Sequence, residues 1–508
     1  MKKTHCENRI LKLTLVLLLA ALGSACGNAE TAQTPADTAS VTPNEITETA
    51  ETEAVNPDVI PPSPTEAKDL GGDAIRFAVH ERTGINFNLC DIRADAENGE
   101  SINDAVFRRN SAVMEKYNVN FEWKESGTPE NDVKKSVIAG DNAFDFGLPP
   151  LSVSFALGTD GVVCDLNTVP NFDLHGLGWM RSAAEDAAIG GKNFFGVGDI
   201  NLLSYDGTGV VLFSKTLASQ NDITDLYSRV KDGTWTFDCM YDYSKALFRD
   251  LNGNGADDAE DQYGFTCNLY ASDCFALSTD MRLIGKDSGG NPAITMNSDR
   301  FITYFSKVTE MINDRSITLF ADRKEYAADR QTIPLNAFSE SRVLFYYETM
   351  AFITQLRSMQ LDFGLLPFPK FDESQETYYN FIHSGASSTV VIPRTVEENT
   401  ERFDSIGRIA SDLAYYSYYL VRPAYYDTTI TGKFIRDAES YEMLDYILQN
   451  SRCDFAILMQ SSGLSLLTDL RNIISGNKDS ISSELAKKEK NYQKTIDKVL
   501  DKLEKMDG

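Results

Sequence analysis

The segment 250–265, DLNGNGADDAEDQYGF, concentrates side chains that bind hard cations. Asp250, Asn252 and Asn254 stand at positions one, three and five of a calcium-loop spacing, with Gly255 at the turn, the Ala256 carbonyl at seven, Asp258 at nine and Asp261 at twelve. An all-oxygen set in that order suits calcium. The twelfth ligand is Asp where a bidentate Glu is usual, and Glu260 stands one place away, so the departure bears on affinity rather than on spacing. The competing reading is an Asx-rich solvated turn. On either reading the role is structural, and calcium is the one cofactor the sequence suggests.

Catalytic chemistry has little support. The chain has no HExxH, GxSxG, Walker phosphate loop or GxGxxG, and with 75 Asp plus Glu no acid/base pair stands out. A glycoside hydrolase needs no local signature, so a surface-anchored carbohydrate-active enzyme stays as an alternative to a binding protein. Against those 75 acids stand 48 Lys plus Arg, a net charge of −27 that argues against a nucleic-acid partner. Eight Cys without a CxxC pair do not form a zinc site; Cys267 and Cys274 are close enough in sequence to bridge a short loop, with buried free thiols as the alternative.

At the start, Lys2, Lys3, Arg9 and Lys12 precede the apolar run Leu13–Leu22, too short to span a bilayer but suited to a signal-peptide core. Gly23, Ser24, Ala25 and Cys26 follow and resemble a bacterial lipoprotein cleavage box, with Gly23 where Leu is usual. This implies a signal peptide over 1–25, lipidation (palmitate included) of Cys26, and attachment to the outer face of the bacterial cell membrane. Residues 26–69 are rich in Thr, Glu, Ala and Pro and carry no aromatic side chain, which predicts a disordered tether.

The elements that must position any site begin near Leu70. Ala74–Val79 predicts a strand, 102–117 a helix, Val119–Trp123 a second strand and Phe144–Phe146 a third; Val210–Phe213, Val343–Tyr347, Phe363–Leu366 and Thr389–Ile392 continue the series. Strands alternating with helices indicate an α/β protein with a mainly parallel sheet. From about Glu401 the pattern is helical, ending in the amphipathic stretch Ser483–Met506. Hydrophobic residues at 42% over 508 positions support more than one domain.

Six phrases in order, INDAVFRRNSAVMEKYNVNFEW (102–123), DLNTVPNFDL (165–174), IGGKNFFGVGDINLLSYDGTGVVLFSK (189–215), GTWTFDCMYDYSKAL (233–247), LDFGLLPFPKFDESQETYY (361–379) and SGASSTVVIP (384–393), resemble the extracellular solute-binding protein family 1 of bacterial ABC importers, in its carbohydrate-binding branch. The resemblance implies a type II periplasmic-binding-protein fold: two α/β lobes joined by hinge crossovers and closing on a ligand in the cleft between them. It places lobe 1 at 70–208 with 337–394 and lobe 2 at 209–336 with 395–508. The chain would leave the first lobe near Tyr205–Thr208 and return near Leu335–Glu348.

In such a cleft, aromatic faces and planar polar groups recognise sugars. Ligand contacts are therefore expected at His80, Glu81 and Arg82 after the first strand, at Trp179, at Tyr205 and Asp206 in the first crossover, and at the strand end Tyr346, Tyr347 and Glu348, with Tyr347 and Glu348 foremost. Tyr415, Tyr416, Tyr418 and Tyr419 wrap around a helix and are expected to pack in the core. The implied function is a lipid-anchored receptor delivering an oligosaccharide to membrane permease subunits, with peptide as the rival ligand.

Overall fold

The computed structural model describes residues 60–81, 92–353, 356, 361–385, 387–431, 438–448, 450–478 and 480–507. The expected signal peptide, Cys26 and Arg82 lie outside them. Among the described residues no helix is long and apolar enough to cross a membrane.

In chain order the strands are β1 Asp73–His80, β2 Val119–Ser126, β3 Phe146–Gly147, β4 Gly209–Ser214, β5 Tyr263–Cys267, β6 Ile284–Lys286, β7 Pro292–Ile294, β8 Thr318–Phe320, β9 Val343–Thr349, β10 Phe363–Leu366, β11 Asn380–Phe381 and β12 Ser451–Arg452. The first sheet has the order β2-β1-β3, all parallel. Its middle strand carries Ile75, Phe77, Ala78 and Val79, apolar on both faces as a covered parallel strand requires. Phe77 packs against Trp123 at 4.7 Å, Phe146 at 5.0 Å and Phe121 at 5.2 Å between ring centroids. Antiparallel bridges from Gly147 to Val391 and from Val390 to Gly196 extend this sheet with two distant segments.

The helix Ser101–Tyr117 covers the first sheet. Its buried residues Ala105, Val106, Arg109, Asn110, Val113 and Tyr117 recur at helical spacing, and Asn118 ends it in the left-handed region at φ 48°. Arg109 is fully buried and donates to the Ile200 and Ile92 carbonyls and to Ser417, so the guanidinium joins three segments of the lobe. The helix Thr400–Tyr416 lies beside it, inserting Phe403, Ile406, Ile409 and Leu413 into the same core.

The second sheet has the order β10-β4-β9-β5-β8. Strand β4 is buried at every position and runs antiparallel to β9 and β10, while β5 is parallel to β8 and β9. Helices Phe237–Lys245, Ala271–Leu277, Asp299–Asn313, Ala438–Leu448 and Leu466–Ser475 pack around it. Thr236 caps the first of these, its side chain accepting from the Cys239 amide. The final helix Ile481–Asp507 reaches both lobes: Tyr492 donates to Asp469 at 2.9 Å, and Lys502 to Asp160 at 2.7 Å.

Three assignments change. The segment 337–394 divides, because β9 and β10 find their partners in the second sheet, while residues near 388–393 pair with the first. The segment 395–508 also divides, with Thr400–Tyr416 in the first lobe's core. The chain therefore returns to the first lobe after β11 rather than near Leu335–Glu348. The third change concerns the expected tether, whose last residues, 60–69, are held against the first lobe. Tyr415 donates to the Pro61 carbonyl at 3.1 Å, Lys116 to Thr65 at 2.6 Å and Arg408 to Glu66 at 3.4 Å. Lys68 pairs with Asp404 at 3.1 Å.

Candidate functional site

The carboxyl-terminal ends of β5, β8 and β9 share one edge of the second sheet, since the three strands are parallel. Strand β4, antiparallel, begins at that edge, with Gly209 in register with Thr349. The crossover from the first lobe thus arrives where an open α/β sheet places its ligands. A cavity of about 430 Å³ opens there. Asn268 and Tyr270 after β5, Asp322 after β8, Tyr346, Glu348 and Thr349 of β9, and Phe352 after it contribute to its wall; Arg330 and Thr332 close another side.

Glu348 is the central polar group. Its carboxylate accepts from the Tyr346 hydroxyl at 3.1 Å and from the Thr349 amide at 3.0 Å. Burial pushes the carboxyl up to about 7, and these two hydrogen bonds oppose that only in part. The Tyr346 ring continues an aromatic wall, 5.3 Å from Phe338 and 5.8 Å from Phe352. Asp322 accepts from the Leu269 amide at 2.6 Å and faces Arg330 at 3.7 Å. Tyr270 is half exposed, its ring beneath the Arg471 guanidinium at 4.6 Å.

Beside the crossover sits a second polar group of side chains. Tyr205 donates to Asp199 and lies against Tyr425, 5.5 Å away, whose hydroxyl donates to Asp206 at 2.9 Å. Burial raises the Asp199 carboxyl to about 6 against the opposing charge of Arg422. Tyr205 and Asp206 are thus buried structural partners at the hinge rather than parts of the cavity wall.

Of the residues expected to touch ligand, Glu348 lines the cavity. Tyr347 does not: alternation along β9 turns it into the core, against Phe368 at 5.6 Å. Trp179 belongs to the first lobe, packed edge-on against Phe172 at 5.3 Å and facing a separate groove with Arg408 and Tyr415. Its backbone pairs with Gly198, where a Cβ would come within 2.0 Å of the Gly178 carbonyl, so only glycine fits. His80 and Glu81 follow β1 in the first lobe; burial lowers the His80 imidazole, while Glu130 and Glu81 raise it. Tyr346, expected with Tyr347 and Glu348, lines the cavity too; Tyr270, Asn268 and Asp322 were missed, although position at a strand end would have pointed to them. Of the tyrosine stripe, Tyr415 is buried and Tyr416, Tyr418 and Tyr419 are half-buried.

The expected calcium loop draws its side chains together. Asp250 accepts from the Gly253 and Gly255 amides at 2.7 and 2.9 Å, and Asn254 donates to Asp258 at 2.7 Å. Asp261 accepts from Leu251 and Asp258 amides at 3.0 and 3.1 Å. The donor set is all oxygen, as calcium requires, once the Asn252 and Asn254 amides turn their oxygens inward. Among the described residues no group of three or more His, Cys, Asp and Glu side chains is placed to hold a metal, so the Asn side chains and the Ala256 carbonyl would have to complete the shell. Cys267 and Cys274 are both free and buried.

No family model matches the sequence, and no curated protein matches it. Solved structures do. An ABC substrate-binding protein of Listeria monocytogenes in complex with cycloalternan aligns at TM-score 0.50 and 12% identity, covering 84% of this chain and 99% of that one. A cyclo/maltodextrin-binding protein complexed with maltotetraose aligns at 0.51 and 13%, covering 84% and 97%. A cyclic α-maltosyl-1,6-maltose binding protein of Arthrobacter globiformis aligns at 0.52 and 11%, covering 84% and 99%. The chain has the two-lobed periplasmic-binding fold. At these identities the likeness is one of fold, and the periplasmic-binding architecture accounts for the crossover meeting the cavity edge.

Proposed function

We propose that this chain is an extracellular solute receptor of an ABC importer, not an enzyme, which captures a carbohydrate between its lobes and delivers it to permease subunits. The observation that carries the reading is the cavity at the β5, β8 and β9 ends, where Tyr270, Tyr346 and Phe352 stand beside Asn268, Asp322 and Glu348. Rings offer stacking faces and planar polar groups meet hydroxyls, the combination a sugar needs. The fold neighbours support it by what they are said to bind: cycloalternan, maltotetraose and a cyclic maltosyl-maltose. Lipidation at Cys26 would hold the receptor at the membrane, and ligand would favour the closed lobes that a permease recognises. The loop 250–261 would hold a structural calcium ion.

Thermal unfolding against a panel of oligosaccharides and short peptides tests the reading. A ligand at a hundred times its dissociation constant adds about 2.7 kcal/mol, a visible rise in midpoint. A rise with one sugar class supports it; a peptide-only response keeps the fold and removes the sugar.

A further inference from the structure

Within the proposed cavity, charge is unbalanced. Asp322 has Arg330 at 3.7 Å, whereas both oxygens of Glu348 are met by neutral donors, the Tyr346 hydroxyl and the Thr349 amide. Rings of Tyr346 and Phe352 line the same cavity. A carboxylate removed from bulk water and set among aromatic faces favours a cation over a neutral hydroxyl, through a charge-assisted hydrogen bond and the ring quadrupoles together. We infer that the cavity selects a ligand bearing a protonated amine, seated on Glu348 beside the Tyr346 and Phe352 rings; within the receptor reading on which this rests, that means an amino sugar. The raised Glu348 carboxyl agrees, since an arriving ammonium group supplies a counter-charge where the described residues offer the carboxylate only neutral donors.

Calorimetric titration of the folded protein at neutral pH with three trisaccharides decides it: fully deacetylated chitotriose, its N-acetylated form, and maltotriose. The expected result is tighter binding of the deacetylated trimer by about tenfold over both neutral ones, the worth of one favourable charged contact. Glu348→Gln should erase the preference, and Glu348→Asp should retain part of it. A neutral trimer binding as well as the amine, or a preference undiminished in Glu348→Gln, overturns the inference and leaves the receptor reading standing. Silence toward all three trimers and toward a wider oligosaccharide panel, with unfolding still cooperative, overturns both.

Discussion

The Tyr346 hydroxyl donates to the Glu348 carboxylate at 3.1 Å, two residues along β9, while Tyr347 between them points into the core. One strand thus supplies the cavity with a carboxylate and a ring, and the core with another ring. Among the described residues the arrangement holds an acidic group at the sheet edge nearest the crossover on neutral donors alone.

That imbalance predicts a pH signature. Glu348 is raised from 4.5 to about 7 in the folded protein, so its contribution favours folding fully below the unfolded value and is lost as pH rises through about 7. The loss amounts to about 3 kcal/mol at most, from the size of the shift. Glu348→Gln should therefore match the wild type in midpoint near pH 4 and exceed it above about pH 7. Denaturant unfolding of both proteins across pH 4–9 measures the difference; parallel curves would refute the burial of the charge. A more stable variant that loses its preference among ligands is the expected compromise of a binding site.

Much of the fold is legible in the sequence because it is local. Strand β1 and the helix Ser101–Tyr117 follow from their own apolar spacing, and β4 from an unbroken apolar run. The assignment of segments to lobes is not, since β9 lies between β4 and β5, and residues near 390 enter the first sheet by long-range pairing that no local pattern encodes. Glu348 and Tyr346 were legible as strand-end residues; placing Tyr347 with them overlooked the two-residue period, which pairs Glu348 with Tyr346 and turns Tyr347 away. Residues 60–69 escaped for another reason: Pro61, Thr65 and Glu66 are held through their backbone carbonyls, which side-chain composition does not reveal.

The strap formed by those residues should contribute to stability. Ser63 donates to Asp412, a fully buried carboxylate that also takes Lys116 at 2.6 Å and Tyr117 at 2.9 Å. A protein beginning at Leu70 loses Ser63 and the carbonyl partners of Lys116, Arg408 and Tyr415. It should unfold with about 1–3 kcal/mol less stability than one beginning at Ile60. Equal chemical-denaturation midpoints would show that the strap rests on the surface without strengthening it.

Calcium should stabilise the second lobe. Asp250, Asp258 and Asp261 stand in one loop, and a divalent ion held by them together with the Asn252 and Asn254 oxygens and the Ala256 carbonyl would order the turn before β5. Calcium at a hundred times its dissociation constant should add about 2.7 kcal/mol, reversed by a chelator and absent in Asp250→Asn/Asp258→Asn. A thermal scan unmoved by calcium or chelator would make the segment a solvated Asx turn.

The Arg471–Asp273 pair should be sensitive to substitution. Two helices of the second lobe meet there, Ala271–Leu277 and Leu466–Ser475, with Arg471 Nε 3.1 Å from both Asp273 oxygens. Burial raises the Asp273 carboxyl, and Arg471 opposes that rise by hydrogen bond and charge. Arg471→Met leaves a buried carboxylate without its cation, a change that costs about 3–5 kcal/mol. It also removes the guanidinium lying over Tyr270, so affinity for ligand should fall together with stability. Adding Asp273→Asn to Arg471→Met removes the stranded charge and should restore a large part of the stability, but not the cover over Tyr270. Unfolding and ligand titration of the two single variants and the double variant separate these effects: recovery of stability without recovery of affinity assigns Arg471 a part in shaping the cavity wall, whereas recovery of both would confine it to the ion pair.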